Sequence, residues 1–407
     1  MKPAIWLALA LLAALPAGAH AADAAFQSFL QSLWPDAQKI GVSRATFEAA
    51  TRGLEPDLSL PDLVLPGKAD RPPPAQPEFV QTPADYVRET TIARLAAQGK
   101  ALAGQHRATL AAIEQRYGVP PSVILAIWGR ETAYGGQKLP YSAVRVLATQ
   151  AYAGRRKDMF RQEFVLALKI AQEGHVKLSD MRSSWAGAMG HTQFLPSEFY
   201  KYAVDFDGDG RRDIWSSIPD ALAAAAGQLV GKGWQRGRRW AYEVRKAPGV
   251  DCTIAEPGVT LSVGEWLKRG FQPAYGRKLA ADELRETASL LLPEGTFGPA
   301  FLTPKNYFVI KDYNFSDLYV LFVGHLSDRI MDGRPFETPW SKSAQLKTAQ
   351  VEAMQQRLTE LGMYRDKIDG KAGMLTRSAL GAYQKANGLA LDCWPTSAVL
   401  NHMQGRR

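Results

Sequence analysis

At 407 residues, with 46% hydrophobic and 22% charged residues, the chain can bury a large core, its length suggests two domains, and it is not disordered. Its formal charge of +9 is spread without a long basic block, which suits an anionic polymer or surface; general solubility explains the charge equally well, and outside the cytoplasm nucleic acid is a poor partner. The two cysteines, Cys252 and Cys393, fall in separate predicted domains, and the sequence leaves open whether they meet.

Met1-Lys2, an apolar run from Ala4 to Leu15 and the small-x-small Ala19-His20-Ala21 read as a secretory leader over residues 1–21, with the mature chain beginning near Ala22. Loss of Lys2 lowers the net charge to about +8. No cysteine adjoins the cleavage point, so no lipid anchor is expected, and no later segment is apolar for long enough to cross a bilayer. The expected location is periplasmic.

From Phe26 to Ala50 the pattern predicts short amphipathic helices, with Ser43 a cap before Phe47. Residues 55–85 are proline-rich, including Arg71-Pro72-Pro73-Pro74, and predict an extended surface segment. A long helix is expected from about Pro83 to Arg116, and another from 121 to 134, opened by Pro120-Pro121 and stopped by Gly135-Gly136. Helices are further predicted for Ala143–Tyr152, Met159–Glu173, Ser197–Tyr202 and Pro219–Lys232. Between Val250 and Asn314 the short apolar runs Ala288-Ser-Leu-Leu-Leu-Pro and Asn306-Tyr-Phe-Val-Ile-Lys predict a small inserted sheet. A helix from Asp317 to Arg329 closes this body of residues 22–330, residues 331–347 read as a linker, and a unit of three helices occupies 348–407.

One charge stands out. On the 121–134 helix Ile124, Ile127, Trp128 and Glu131 fall at i, i+3, i+4 and i+7, so a carboxyl shares the apolar face. Partial burial and the negative end of the helix dipole both favour its protonated form, which a general acid requires. Taken alone, a glutamate there is as well explained by rotation to solvent or pairing with Arg130.

Residues 348–403 resemble the three-helix peptidoglycan-binding domain in their apolar spacing and in Ile368-Asp369-Gly370, Asn387-Gly388 and Pro395-Thr396, with Cys393 standing where a turn glycine is usual. The larger body resembles the membrane-bound lytic murein transglycosylase B family from about Gln76 to Asn314. The matching stretches are Glu131-Thr132-Ala133-Tyr134-Gly135, Tyr152-Ala153-Gly154-Arg155-Arg156, Tyr313-Asn314 and the fourteen-residue run Ser184-Trp185-Ala186-Gly187-Ala188-Met189-Gly190-His191-Thr192-Gln193-Phe194-Leu195-Pro196-Ser197. The fold class implied is mainly α: a lysozyme-like helical catalytic domain with a small inserted β-subdomain, followed by the three-helix module.

That resemblance implies Glu131 as the sole catalytic acid/base. It places Tyr134, Ser184, Gln193, Tyr313 and Asn314 along a saccharide cleft, and Arg155 and Arg156 at the peptide stem. Taken singly, Ser184 and Gln193 are equally well read as loop-fixing residues, and the arginines as a solvated pair. The glycines of the Ser184 run would let a sugar approach the backbone. Ala226-Gly227-Gln228-Leu229 departs from the family's Asn-Tyr pair, so one aromatic wall is missing or supplied elsewhere.

Asp205, Asp207, Asp209 and Asp213, with Gly210 and Arg211 between them, match positions 1, 3, 5, 9, 6 and 7 of a calcium loop. Position 12 is Ser216 rather than glutamate, which weakens the site unless Asp220 reaches in. A solvated acidic turn paired with Arg211 and Arg212 is the alternative. Structural calcium is thus the one cofactor considered, and no organic cofactor is called for.

The reading is a monomeric peptidoglycan lytic transglycosylase acting on glycan strands and stem peptides, with cell-wall synthesis or remodelling proteins as its partner class. A hydrolytic muramidase and a non-catalytic wall-binding scaffold are the alternatives.

Overall fold

The computed structural model describes residues 17–65, 67, 77–341 and 346–405. Most of the predicted leader, the Arg71-Pro72-Pro73-Pro74 run and residues 342–345 of the predicted linker lie outside the described residues. The molecule is mostly helical, with one five-stranded sheet, and its chain divides into two compact units. One comprises Met1–Pro73, Leu139–Met189 and Phe194–Ser197; the other comprises Pro74–Lys138, Gly190–Gln193 and Glu198–Arg407.

In the first unit the helices are Ala17–Ser32, Trp34–Lys39, Arg44–Thr51, Ala143–Ala153 and Lys157–Gln172. Phe26, Leu30, Leu33, Phe47, Leu147, Phe160 and Phe164 are among its buried apolar residues. Ser43 caps its helix as expected, its hydroxyl accepting from the Thr46 amide at 3.1 Å. Tyr141–Ser142 pairs antiparallel with Arg182–Ser183, which starts the Ser184 run at a fixed place.

The second unit is built on the Pro121–Thr132 helix, whose residues Val123 to Gly129 are all buried. It packs against Glu89–Gln105, Ile218–Gly231 and Asp317–Ile330. Their apolar faces meet at Ile124, Ile127, Trp128, Leu222, Leu229, Leu321 and Phe322. The long helix expected over 83–116 is instead three pieces, Pro83–Tyr86, Glu89–Gln105 and Arg107–Tyr117, the last two hinged at His106.

The sheet runs in the order Thr260–Ser262, Thr287–Leu291, Ala300–Thr303, Tyr242–Arg245, Gln272–Pro273, with every pairing antiparallel. The apolar run at 288 is one of its strands, but the run at 306 is not. Residues 306–311 lie in the Lys305–Asn314 helix, where Asn306, Tyr307, Val309 and Ile310 form the buried face at helical spacing. Six residues were too few to separate the two periods by inspection.

The C-terminal module has the helices Thr348–Glu360, Met374–Ala386 and Ser397–Met403 around Met354, Leu358, Leu380 and Leu400. Two buried glutamines hold its turns. Gln355 Oε1 accepts from the amides of Asp369 (2.9 Å) and Gly370 (2.8 Å), and Gln384 Oε1 accepts from Cys393 at 2.8 Å. Cys393 does take the left-handed conformation of the glycine it replaces (φ 54°), and its sulfur is bonded to Cys252, with the two Cα atoms 6.0 Å apart. The same surface carries a buried charge cluster: Asp317 accepts from Lys311 at 2.5 Å and from Tyr307 at 2.8 Å, and pairs with Arg377 of the module at 3.3 Å.

The residues read as a linker are laid on the body as far as Ser341. Phe336 stacks on His325 at 3.9 Å, and the Thr338 and Ser341 amides donate to Glu243 (3.0 Å) and Glu294 (2.8 Å). Among the described residues no helix is long and apolar enough to cross a membrane.

Candidate active site

Glu131 is the penultimate residue of the Pro121–Thr132 helix and is half-buried. The helix ends one turn before the glycines, because Ala133 (φ 49°) and Tyr134 (φ 60°) themselves take left-handed conformations. Tyr134 turns inward from there. It is buried, its hydroxyl donates to the Leu95 carbonyl at 2.9 Å, and its ring meets Trp128 edge-on at 5.5 Å. Expected in the saccharide cleft, Tyr134 instead buttresses the helix end from the core. A Cβ at Gly129 would come within 2.7 Å of its ring, which explains that glycine.

The carboxyl of Glu131 accepts a hydrogen bond from the Tyr319 hydroxyl at 2.6 Å. Tyr319 stacks on Tyr313 (centroids 6.0 Å apart, 14° between planes), whose hydroxyl donates to the Thr192 carbonyl at 2.8 Å. Burial, and after it the nearby Glu131 charge, push both phenols well above their ordinary pKa. They stay protonated and are fixed as donors. The bond from Tyr319 favours the carboxylate, opposing the burial and dipole that favour the acid. Arg130, the residue before Glu131, lies over the rings of Tyr86 and Phe322, with its Nε donating to Tyr86 at 2.9 Å.

The Gly190–Gln193 loop is tied to the same helix. Thr132 donates to the His191 carbonyl at 3.2 Å, and Trp128 Nε1 donates to His191 Nδ1 at 3.0 Å, which leaves the imidazole proton on Nε2. Burial holds the His191 pKa below its ordinary value, against the pull of Asp213. Gln193 is left-handed (φ 55°), and its amide closes the turn onto the Gly190 carbonyl at 3.0 Å. Thr192 Oγ1 and Asn314 Oδ1 are buried without a hydrogen-bond partner, two polar groups in excess of what the fold uses.

Glu131, Gln193, Tyr313 and Asn314 therefore fall in one unit, joined through Tyr319 and Thr192. Ser184, Arg155 and Arg156 belong to the other. The Ser184 hydroxyl accepts from Ala186 (3.3 Å) and Ala188 (3.2 Å), folding its own loop. Arg155 pairs with Asp62 at 3.0 Å, and Arg156 is exposed with its guanidinium 5.3 Å from the Phe160 ring. The glycines of this run answer to the protein's own packing. A Cβ at Gly187 would meet Leu147 at 2.4 Å, and one at Gly190 the Ile214 carbonyl at 2.4 Å. At the Gly227 departure, Tyr117 Cε1 stands 3.7 Å from where a Cβ would be, and Gln228 donates to Glu198 at 2.8 Å.

Tyr319 and His191 were not singled out from the sequence. Tyr319 was hidden because a tyrosine on the inner face of a helix reads as core, and His191 because it lay inside a motif without a role of its own.

The carboxylates of Asp205, Asp207 and Asp209 present oxygens within 4.8 Å of one another, as a shared cation requires. Asp209 is paired with Arg211 (2.8 Å), which holds its pKa low and would have to let go. Asp213 accepts from the Trp215 and Ser216 amides at 2.9 and 2.8 Å. Asp220 does not reach in: fully buried, it clamps the loop from behind, accepting from the amides of Phe206 (2.7 Å) and Asp213 (2.8 Å).

A mainly helical body in which a tyrosine hydroxyl holds a half-buried glutamate, on a helix that also ties down the Gly190–Gln193 loop, fits a lysozyme-like glycan-cleaving fold. The Transglycosylase SLT domain matches residues 25–328 and the putative peptidoglycan binding domain residues 347–403. The chain belongs to the lytic transglycosylase family so defined. It is 36% identical, with a TM-score of 0.81, to SltB3 from Pseudomonas aeruginosa crystallised with NAG-anhNAM-pentapeptide, over 93% of this chain and 99% of that one. The Escherichia coli lytic transglycosylase Slt35 in complex with calcium matches at 28% identity and a TM-score of 0.52, over 61% of this chain and 77% of that one. Membrane-bound lytic murein transglycosylase B of Escherichia coli (strain K12) is 32% identical over 53% of this chain and 58% of its own length, so the alignment spans little more than half of that curated relative.

Proposed function

We propose that this chain is a periplasmic lytic transglycosylase that cleaves the MurNAc–GlcNAc β-1,4 bond of peptidoglycan without water, with Glu131 as the only general acid/base. As the acid, Glu131 protonates the glycosidic oxygen as the C1–O bond breaks. As the resulting carboxylate, it takes the proton from the C6 hydroxyl while O6 bonds to C1, which leaves a 1,6-anhydro end and restores the acid. The observation that carries the reading is the 2.6 Å bond from Tyr319 to a half-buried Glu131. SltB3 in complex with NAG-anhNAM-pentapeptide and with NAG-NAM-pentapeptide supports the substrate class. The family motif assigns Gln193, Tyr313, Asn314 and Ser184 to the sugars, and Arg155 and Arg156 to the stem peptide.

Hydrolysis is the second reading, and it needs a second carboxylate. Glu198 is the candidate, since its charge bears on Tyr313 beside that of Glu131. It is already engaged by Gln228 at 2.8 Å and Lys201 at 3.4 Å. Digestion of purified peptidoglycan followed by mass spectrometry separates the cases. Anhydro products lost in Glu131→Gln and kept in Glu198→Gln are expected, whereas reducing ends overturn the non-hydrolytic mechanism and no digestion by the parent favours a scaffold. A structural calcium ion at Asp205, Asp207 and Asp209 would bind the loop together by screening three like charges; Slt35 in complex with calcium supports it.

A further inference from the structure

The Asp317–Ile330 helix carries Tyr319 toward Glu131, and a second cleft opens on its other side. Asp328 follows Tyr319 by nine residues, which on an α-helix is about 13 Å along the axis and half a turn around it. The cleft, of about 330 Å³, is bounded by Asp328 and His325 of this helix, Trp240 and Glu243 from the start of the sheet, Tyr275, and the returning segment at Phe336. It shares no lining residue with the Glu131 site.

Its floor is aromatic. Trp240 and Phe336 both pack on Phe301, and His325 lies flat on Phe336 at 3.9 Å. Its wall is built at some conformational cost: Tyr275 is left-handed (φ 55°), held by its amide donating to Glu337 at 2.8 Å and its hydroxyl donating to the Pro335 carbonyl at 2.8 Å. The two carboxylates inside are already used. Asp328 accepts from Trp240 Nε1 at 3.0 Å and pairs with Arg239 at 3.5 Å, and Glu243 accepts from the Thr338 amide at 3.0 Å.

The donors are in surplus. Arg239 Nε is buried with no acceptor, and Arg334 lies 5.0 Å over the Tyr275 ring with no carboxylate partner among the described residues. Arg277, the third arginine lining the cleft, pairs with Glu283 at 2.6 Å. The Arg239 Nε–H is closed off even from solvent, so what Arg239 offers a ligand is the outer edge of its 37%-exposed side chain, where an anion would be held by charge-assisted hydrogen bonds. Asp328 and Glu243 would repel a dianion more strongly than a monoanion, which favours a carboxylate over a phosphate. The aromatic floor suits small apolar groups next to that carboxylate.

We infer that this cleft is a second ligand site that takes the free terminal carboxylate of a short peptide, with Arg239 and Arg334 on the carboxylate and alanine-sized side chains on the aromatic floor. The choice of a peptide rests on the proposed peptidoglycan substrate, whose stem peptides end in this chemistry; the carboxylate chemistry rests on the cleft alone. The site would hold a stem peptide away from the bond being cleaved.

The test uses the full chain carrying Glu131→Gln, so that no turnover intervenes, titrated calorimetrically with N-acetyl-D-alanyl-D-alanine, its C-terminal amide and inorganic phosphate. Saturable binding of the acid is expected, with the amide and phosphate each at least tenfold weaker. Exposed Arg334→Gln, which leaves the fold intact, is expected to weaken the acid tenfold or more, with Arg239→Gln doing the same. Absence of binding, equal binding of acid and amide, binding of phosphate as tight as the acid, or an unchanged affinity in Arg334→Gln overturns the inference. None of these outcomes bears on the role of Glu131, which is read separately from digestion products.

Discussion

Replacing Arg377 by methionine removes one of two cations from the buried carboxylate of Asp317. The pair stands at 3.3 Å with both side chains nearly buried, at 11% and 13% exposure. At an effective dielectric constant of about 20 the gross attraction is about 5 kcal/mol. Arginine regains hydration when the chain unfolds, and Lys311 remains at 2.5 Å, so the net loss expected at neutral pH is about 2–3 kcal/mol. Burial pushes the Asp317 pKa up, but Lys311 and Arg377, with the bonds from Lys311 and Tyr307, outweigh it and hold it below the ordinary 3.8.

A depressed carboxylate contributes stability above its unfolded pKa and loses it as the pH falls through the folded one. The difference between parent and variant is therefore largest above about pH 4 and closes in stronger acid, as Asp317 is protonated in both. Guanidinium unfolding followed by tryptophan fluorescence across that range measures it. A difference under about 0.5 kcal/mol at neutral pH, the scale of an exposed ion pair, refutes the reasoning, as does one that does not narrow in acid.

Tyr319→Phe removes a charge-assisted hydrogen bond worth about 1.5–3 kcal/mol, so kcat on peptidoglycan is expected to fall roughly ten- to hundredfold with little change in KM; an unchanged kcat would separate Tyr319 from the chemistry. Cys252→Ser with Cys393→Ser opens a crosslink spanning 141 residues, for which loop-closure entropy gives up to about 5 kcal/mol. Denaturation midpoints with and without reductant report it, and a loss below about 1 kcal/mol would show that non-covalent contacts such as Arg377–Asp317 and Lys385–Asp251 seat the module without the crosslink. Calcium is expected to raise the melting temperature of the parent, and not of Asp207→Ala/Asp209→Ala; a parent indifferent to calcium sinks the metal reading.

What could be read from the residues was what a local pattern encodes. The Ile124, Ile127, Trp128 and Glu131 spacing located the central helix and the carboxyl on its inner face, because both depend on one period within a dozen residues. The Asn306–Lys311 run misled for the complementary reason: one and a half helical turns and one short strand look alike in six residues. Tyr319, Asp317 and Arg377 gained their roles from partners 188 and 60 residues away, and no local rule reports such distances. Cys252 and Cys393 were visible as residues but not as a pair, since only the fold brings their backbones to 6.0 Å. The glycines at 187 and 190 were rightly noticed for close approach, but what approaches them is the protein itself.

Between Asn314 and Tyr319 the chain turns from one helix to the next through the left-handed Phe315 (φ 62°), and within those six residues it carries both site groups and the acidic anchor of the C-terminal module. The enzyme is thus not a cassette. A chain cut after the closing helix would leave Asp317, two residues from the tyrosine that holds Glu131, with one cation, and Cys252 with a bare thiol. Swapping wall-binding modules between relatives would have to carry over Arg377 and Cys393 as well as the linker.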